Sequence, residues 1–217
     1  NTFLESEVAR RMHENQLIQQ VSIHALARLA ETRDPETGKH LHRTQEYVRT
    51  LAEGLRSHPR FAHYLDQKTI DALVQSAPLH DIGKVGIPDA ILLKPGRLTA
   101  DEFVIMQGHA QIGADALTEA IERVLSSHPD NEHEQDNRYA LSFLEIAREI
   151  AGGHHEKWDG SGYPQGLAGN AIPLSARLMA LADVFDALVC KRHYKEAFSI
   201  EKSIDIIRQG RGQHFDP

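Results

Sequence analysis

Residues 70–84 read IDALVQSAPLHDIGK. The apolar side chains of this stretch recur at the spacing of one helix face: Ile70, Leu73, Val74 and Ala77. The pattern predicts an amphipathic helix that ends near Pro78. His80 and Asp81 follow it and offer an imidazole nitrogen and a carboxylate oxygen, a donor pair suited to Fe or Mn. Alone the pair is weak support for a metal site, because neighbours on a helix point about 100° apart.

Helical spacing extends over most of the chain, and no stretch of polar and apolar alternation persists beyond a few residues. An all-α fold is therefore predicted, as a helical bundle. The predicted helices run through about Glu31, from near His40, from Tyr139 to Ala151, from Ser175 to Cys190, and from Ser199 onward.

Turn-forming and capping residues are expected to separate these helices. Pro and Gly within residues 34–38 predict a break. Thr99 and Glu102 form a capping-box signature for a helix that carries His109. The polar residues 126–138 predict a flexible loop or insertion.

The length of 217 residues suits one substantial domain. We expect a linker or signalling helix over residues 1–31 and the domain itself over residues 32–217, as a fragment of a longer protein. A net charge of -7 argues against DNA or RNA as a partner, because such binding needs clustered Lys and Arg. No apolar run approaches the roughly 18 residues of a membrane span. The single cysteine, Cys190, fits a reducing compartment, so a cytoplasmic location is expected.

A second polar stretch, residues 154–164, reads HHEKWDGSGYP and follows the helix stop Gly152-Gly153. Its adjacent histidines, His154 and His155, offer rings that can diverge towards two different ions. Asp183 lies within an apolar helix, where an unpaired carboxylate is costly, so it is either a ligand or paired with a cation.

These ordered motifs resemble the HD-GYP domain, a branch of the HD phosphohydrolase superfamily. The likeness runs from about Asp34 to Pro217 and includes the intact Gly162-Tyr163-Pro164. It implies an HD-superfamily helical bundle that hydrolyses cyclic di-GMP in bacterial second-messenger signalling. The family continues beyond Pro217 into another helix, so a truncated C-terminus is expected, and His193 stands where the family usually has Pro.

The resemblance also implies a ligand set for two or three divalent ions, with Fe or Mn expected. These ligands are Glu36, His40, His80, Asp81, His109, His154, His155 and Asp183. Asp81 and Lys84 are the implied catalytic residues, with Asp81 bridging the ions and Lys84 holding a substrate phosphate. Asp34, Tyr163, Arg192 and Lys195 are the other implied substrate contacts. The expected product is pGpG, GMP or both.

Three alternatives stay open. A di-iron oxygenase would keep the fold, but it has no need of phosphate-gripping cations such as Lys84. A sensor could bind cyclic di-GMP without turnover or dock a diguanylate cyclase (GGDEF) domain. A phosphodiesterase for another cyclic dinucleotide, such as cyclic GMP-AMP, would carry the same motifs. An upstream sensory or receiver domain and a homodimer are further expected partners.

Overall fold

The computed structural model describes residues 2–31, 39–127, 134–191 and 196–217, with the backbone alone at residues 2, 16 and 134–140. Its helices are α1 (Thr2–Glu31), α2 (His40–Leu55), α3 (Gln67–Ser76), α4 (Asp89–Leu92), α5 (Ala100–Ser127), α6 (Glu134–Gly153), α7 (Leu174–Val189) and α8 (Ile200–Gln209). Within these ranges, three 3-10 turns accompany them, at Ala77–Leu79, Ile82–Gly86 and Gly169–Ala171. The predicted all-α class is confirmed for the described residues.

Two apolar clusters hold the helices together. Helices α2, α3, α6 and α7 bury the first, whose largest members include Ile70, Leu73, Ile150 and Met179. Each such side chain contributes about 1.5–3 kcal/mol when fully buried. The second cluster joins α1, α5 and α6 to the first 3-10 turn around Leu79. This packing brings together the start of α2, the end of α6 and the middle parts of α5 and α7.

Capping side chains begin two helices, α5 and α8, at the positions that the sequence predicts. The backbone N–H of Thr99 donates to the Glu102 carboxylate at 2.7 Å, and the N–H of Glu102 donates to Thr99 Oγ1 at 3.3 Å. This reciprocal pair is the predicted capping box at the start of α5. Ser199 likewise caps α8 by accepting from the N–H of Lys202.

The predicted loop over residues 126–138 is wrong at both ends. Helix α5 continues through Ser127, and α6 begins at Glu134. The Ser126 and Ser127 hydroxyls donate to carbonyls of the preceding helical turn, so these polar side chains lie within the helix. The residues between, and the predicted break at residues 34–38, lie outside the described part of the chain.

Helix α1 packs on the rest of the domain through its second half. Ile23, Ala27 and Ala30 are buried, whereas Leu4, Ile18 and several other large apolar side chains of α1 are exposed. No helix within the described residues has the length and apolar character needed to cross a membrane.

Candidate metal centre

Seven of the eight predicted ligands lie in two compact groups of donor atoms. The first donor group consists of Asp81, His109, His154 and His155, and the second of His40, His80 and Asp183. Within each group, one donor atom from every residue lies within 4.8 Å of the others. Either group could therefore hold a metal ion.

Asp81 lies between the two groups. Its Oδ1 is 3.4 Å from His109 Nε2 and 3.7 Å from His154 Nε2, while its Oδ2 is 3.3 Å from His80 Nε2. Lys84 Nζ approaches the same Oδ2 at 2.8 Å. One carboxylate thus faces the histidines of both groups, which is the arrangement expected of a bridging ligand.

Backbone carbonyls orient three of the rings. The Nδ1 atoms of His80, His109 and His154 lie 2.9, 2.7 and 3.0 Å from the carbonyl oxygens of Ala77, Met106 and Ile150. A carbonyl can only accept, so each Nδ1 carries a proton, and in the neutral ring Nε2 then presents its lone pair. This tautomer and this outer hydrogen bond are what metal-ligating histidines use.

His40 is oriented by a carboxylate that the sequence analysis missed. Its Nδ1 donates to Asp186 Oδ2 at 2.8 Å, and Arg43 donates to both oxygens of Asp186, at 2.6 and 2.9 Å. The Asp186 side chain is 3% exposed. Since Asp186 is one helical turn from Asp183, the same segment of α7 supplies a predicted ligand and the partner of another.

Two ring nitrogens of the first donor group indicate whether its residues suit a bound cation. His109 Nε2 and His154 Nε2 are buried and have no hydrogen-bond partner among the described residues. Buried polar atoms normally have one, and these two converge on the ionised Asp81. A divalent cation would satisfy both nitrogens and the carboxylate, so the donor set fits such an ion.

Burial keeps two histidines of this group neutral. It lowers the pKa of His109 to about 4, although Asp81 opposes the shift. It also lowers the pKa of His155 far below its ordinary value, and His154 and His109 add to the effect. Neutral imidazole is the form that binds metal, so both rings are ready to bind one near neutral pH.

The second donor group favours a positive charge. Burial lowers the pKa of His80, but Asp81 outweighs this and raises it to about 9. Burial raises the pKa of Asp81, but Lys84 and His80 hold it well below its usual range. His40 Nε2 and His80 Nε2 are 3.3 Å apart, so a proton or a metal ion is needed between them.

Glu156, also missed by the sequence analysis, shapes the loop that follows His155. Its buried carboxylate accepts from the backbone N–H of Gln165 at 2.7 Å and of Leu167 at 3.0 Å. The Tyr163 ring then stacks on His155, with ring centroids 4.6 Å apart. Burial, followed by Asp81, raises the pKa of Tyr163, so the hydroxyl keeps its proton and can donate.

Two glycines permit the close approaches that build the site. A Cβ at Gly83 would lie 2.0 Å from the His109 carbonyl oxygen, so only glycine lets the second 3-10 turn approach α5. A Cβ at Gly162 would lie 2.3 Å from the Lys157 nitrogen.

The other predicted site residues cannot be placed. Asp34, Glu36, Arg192 and Lys195 lie outside the described residues.

The chain is similar to known proteins over most or all of its length. A family model described as HD domain matches residues 24–217. A probable cyclic di-GMP phosphodiesterase of Vibrio cholerae is 55% identical over 217 residues, which are 100% of this chain and 46% of that relative. A cyclic di-GMP phosphodiesterase of the same organism is 56% identical over 197 residues, 91% of this chain and 37% of the relative. A 3'3'-cGAMP-specific phosphodiesterase 2, also of Vibrio cholerae, is 40% identical over 195 residues, 90% of this chain and 32% of the relative. The chain therefore spans less than half the length of these curated relatives.

Proposed function

The chain belongs to the HD domain family, and from that premise we propose that it is a metal-dependent phosphodiesterase of the HD-GYP type that hydrolyses cyclic di-GMP. The observation that carries the proposal is the convergence of His109 Nε2 and His154 Nε2 on Asp81, since both nitrogens are buried and lack a hydrogen-bond partner in the described ranges. The relatives named cyclic di-GMP phosphodiesterases support the choice of substrate.

The two donor groups would hold at least two divalent ions, Fe or Mn, with Asp81 shared between them. A third ion would need Glu36 as well. Bound divalent ions supply Lewis acidity and a water molecule of lowered pKa, which is the chemistry that phosphodiester hydrolysis needs.

The chain's own residues would bind and orient the substrate. Lys84 is held beside Asp81 at 2.8 Å and places a positive charge where a substrate phosphate would bind. Tyr163 keeps its phenolic proton and offers a donor at the rim of the first donor group. Asp34, Arg192 and Lys195 are proposed to complete the substrate contacts.

The decisive experiment is anaerobic reconstitution of the chain with Fe(II) or Mn(II), followed by chromatography of cyclic di-GMP after incubation. We expect pGpG, GMP or both with the wild type and intact substrate with Asp81→Asn. Asp205→Asn, an exposed carboxylate on α8, is the matched control and should behave as wild type. Intact substrate despite a full metal complement would favour a sensor that binds without turnover.

A second candidate substrate is 3'3'-cyclic GMP-AMP, favoured by the 40% identical relative whose name specifies it. Incubating the same reconstituted samples with both dinucleotides compares their kcat/KM directly. A higher value for cyclic GMP-AMP would replace the first substrate and leave the metal centre unchanged.

We also propose partners for the chain. The exposed face of α1 carries apolar residues at the core positions of a heptad pattern: Leu4, Val8, Ile18 and Leu29. Asn15 occupies another core position of the same pattern. We propose that this face joins two copies of the chain and connects to an upstream sensory or receiver domain. Sedimentation of the wild type and of Leu4→Glu/Ile18→Glu would show a dimer in the first case only. Docking of a diguanylate cyclase domain and a cytoplasmic location stay predictions.

A further inference from the structure

Glu31, the last residue of α1, has a carboxylate that is only partly paired. Its side chain is 8% exposed, and its Oε2 accepts from Arg28 Nη1 at 3.2 Å. Its Oε1 is buried and has no hydrogen-bond partner within the part of the chain that the structure describes. A buried carboxylate oxygen without a hydrogen-bond partner raises the free energy of the folded state. We therefore expect a hydrogen-bond donor or a positive charge close to Glu31 Oε1.

The space around Glu31 opens towards the second donor group. A cavity of about 10 Å³ has a polar wall formed by Glu31, His80, Asp81 and Lys84. Its apolar wall consists of Ala27, Ala30, Leu41 and Pro78. This volume is just enough for one water molecule, and the polar wall offers the two to four partners that a buried water needs.

The titratable side chains that affect Glu31 lie in the candidate metal centre as well as on α1. Burial raises the pKa of Glu31, while Arg28, His40 and His80 lower it. Arg28 is 57% exposed, so solvent screens its effect. Lys84 and His80 line the cavity together with Glu31, so a cationic side chain and a candidate metal ligand both lie close to its carboxylate.

We propose that Glu31 is a positioning residue of the metal centre: its Oε1 accepts a hydrogen bond from a water molecule in this cavity, and its charge strengthens cation binding at the second donor group. The inference rests on the proposed function only in requiring that a cation binds there. Outer carboxylates of this kind typically change metal affinity by 10–100-fold.

The arrangement also joins the last turn of α1 to the centre. Coupling between two sites is reciprocal, so cation binding stabilises the docked end of α1 to the same extent that docking strengthens cation binding. Any partner that moves α1 would thereby change metal occupancy without touching a ligand.

The test measures Mn(II) affinity of the metal-free chain by equilibrium dialysis with metal analysis. We expect Glu31→Gln to bind one Mn(II) 10–100-fold less tightly than the wild type does. Arg28→Ala is the matched control from the same turn, and it should stay within twofold because Arg28 is largely exposed. Hydrogen exchange adds a second readout: Mn(II) should slow exchange of the amides of residues 23–31 in the wild type and not in Glu31→Gln.

The melting temperature without metal separates positioning from a structural role. Glu31→Gln removes a buried charge and keeps the shape, so the metal-free variant should melt at or above the wild-type temperature. A lower melting temperature would indicate a structural role and overturn the inference. Equal Mn(II) affinity in the wild type and Glu31→Gln would also overturn it, with the proposed function intact. A wild type that binds no Mn(II) would refute both.

Discussion

At the scale of single residues, the histidines of the two donor groups take their roles from the acceptor behind each ring. His80, His109 and His154 each meet a carbonyl three or four residues earlier in the chain, as a helical turn allows. His40 instead needs a carboxylate from another helix. The second donor group therefore depends on tertiary packing more than the first does.

Asp186 should matter almost as much as a ligand. In Asp186→Asn, His40 and Arg43 lose the charge they share, so we expect metal affinity to fall 10–100-fold. The free energy of unfolding should fall by about 2–3 kcal/mol, the usual range for charged hydrogen bonds. Mn(II) titration and urea unfolding measure the two effects. Asp205→Asn is the control, and an Asp186→Asn variant that matches it in both assays would disprove the role.

His109 should make the metal-free chain sensitive to mild acid. Its pKa is about 4 in the folded chain against an ordinary 6.5, so between these pH values only the unfolded state binds the proton. Stability therefore falls as pH falls, by about 2 kcal/mol between pH 7 and pH 5 from this residue. His80 has the opposite sign, since its raised pKa adds stability below pH 6.5 that is lost as pH rises through about 9.

Urea unfolding of metal-free protein at pH 7 and pH 5 measures the acid effect. We expect His109→Asn to lose less stability across this interval than the wild type does. His63→Asn, at an exposed position, should follow the wild type. Equal losses in all three proteins would contradict the assignment.

The sequence shows the candidate ligands because their residue types are unusual in their settings. A His-Asp pair after a helix and an Asp within an apolar helix are visible without a structure. Asp186, Arg43 and Glu156 are not, because their roles depend on burial and on partners far along the chain: His40 and Asp186 are 146 residues apart. Sequence spacing carries no information about such a pair.

At the scale of elements, the loop after His155 is held from two sides. On its inner side, the Glu156 carboxylate accepts hydrogen bonds from the backbone of the loop. The C-terminal segment binds it from outside, where the N–H groups of Trp158 and Asp159 donate to the carbonyls of His214 and Gln213. Asp216 accepts from Arg60 and Arg177, whose guanidinium groups lie over the Trp158 ring. Tyr163 is thus carried on a fixed loop.

Removing the inner support should separate substrate binding from metal binding. Glu156→Ala leaves two backbone N–H groups without their acceptor, so we expect Tyr163 to lose its position and KM to rise about tenfold or more, the effect of roughly 1–3 kcal/mol. Metal content should stay at the wild-type level. Asp159→Ala, whose carboxylate is exposed in the same loop, is the control and should change KM little. A proportional loss of metal in Glu156→Ala would show that the loop supports the ligands instead.

Local signals predict element ends well where a specific motif is present. The capping box at Thr99 and the glycine pair that ends α6 are examples. Composition alone predicts less: the polar residues at the end of α5 and the start of α6 are helical. Tertiary packing of both helices outweighs a weak local preference.

At the scale of the whole molecule, metal binding and folding should be linked. An ion that binds only the folded chain adds about 2.7 kcal/mol at a hundredfold excess over its Kd. For a chain of this size that raises the melting temperature by about 5–10 °C. Calorimetry with Mn(II) and after chelation measures the shift. His154→Ala should show a much smaller one, and an undiminished shift in that variant would place the ion elsewhere.

The distance along the chain between His40 and Asp186 also sets an order of events during folding. Helices α2 and α7 lie near opposite ends of the chain, so the second donor group cannot form until those ends have met. Contacts of such long range form slowly, because a large loop must close first. Metal uptake during refolding should therefore lag behind helix formation, and a chain emerging from the ribosome could not retain an ion at the second donor group before α7 has been made.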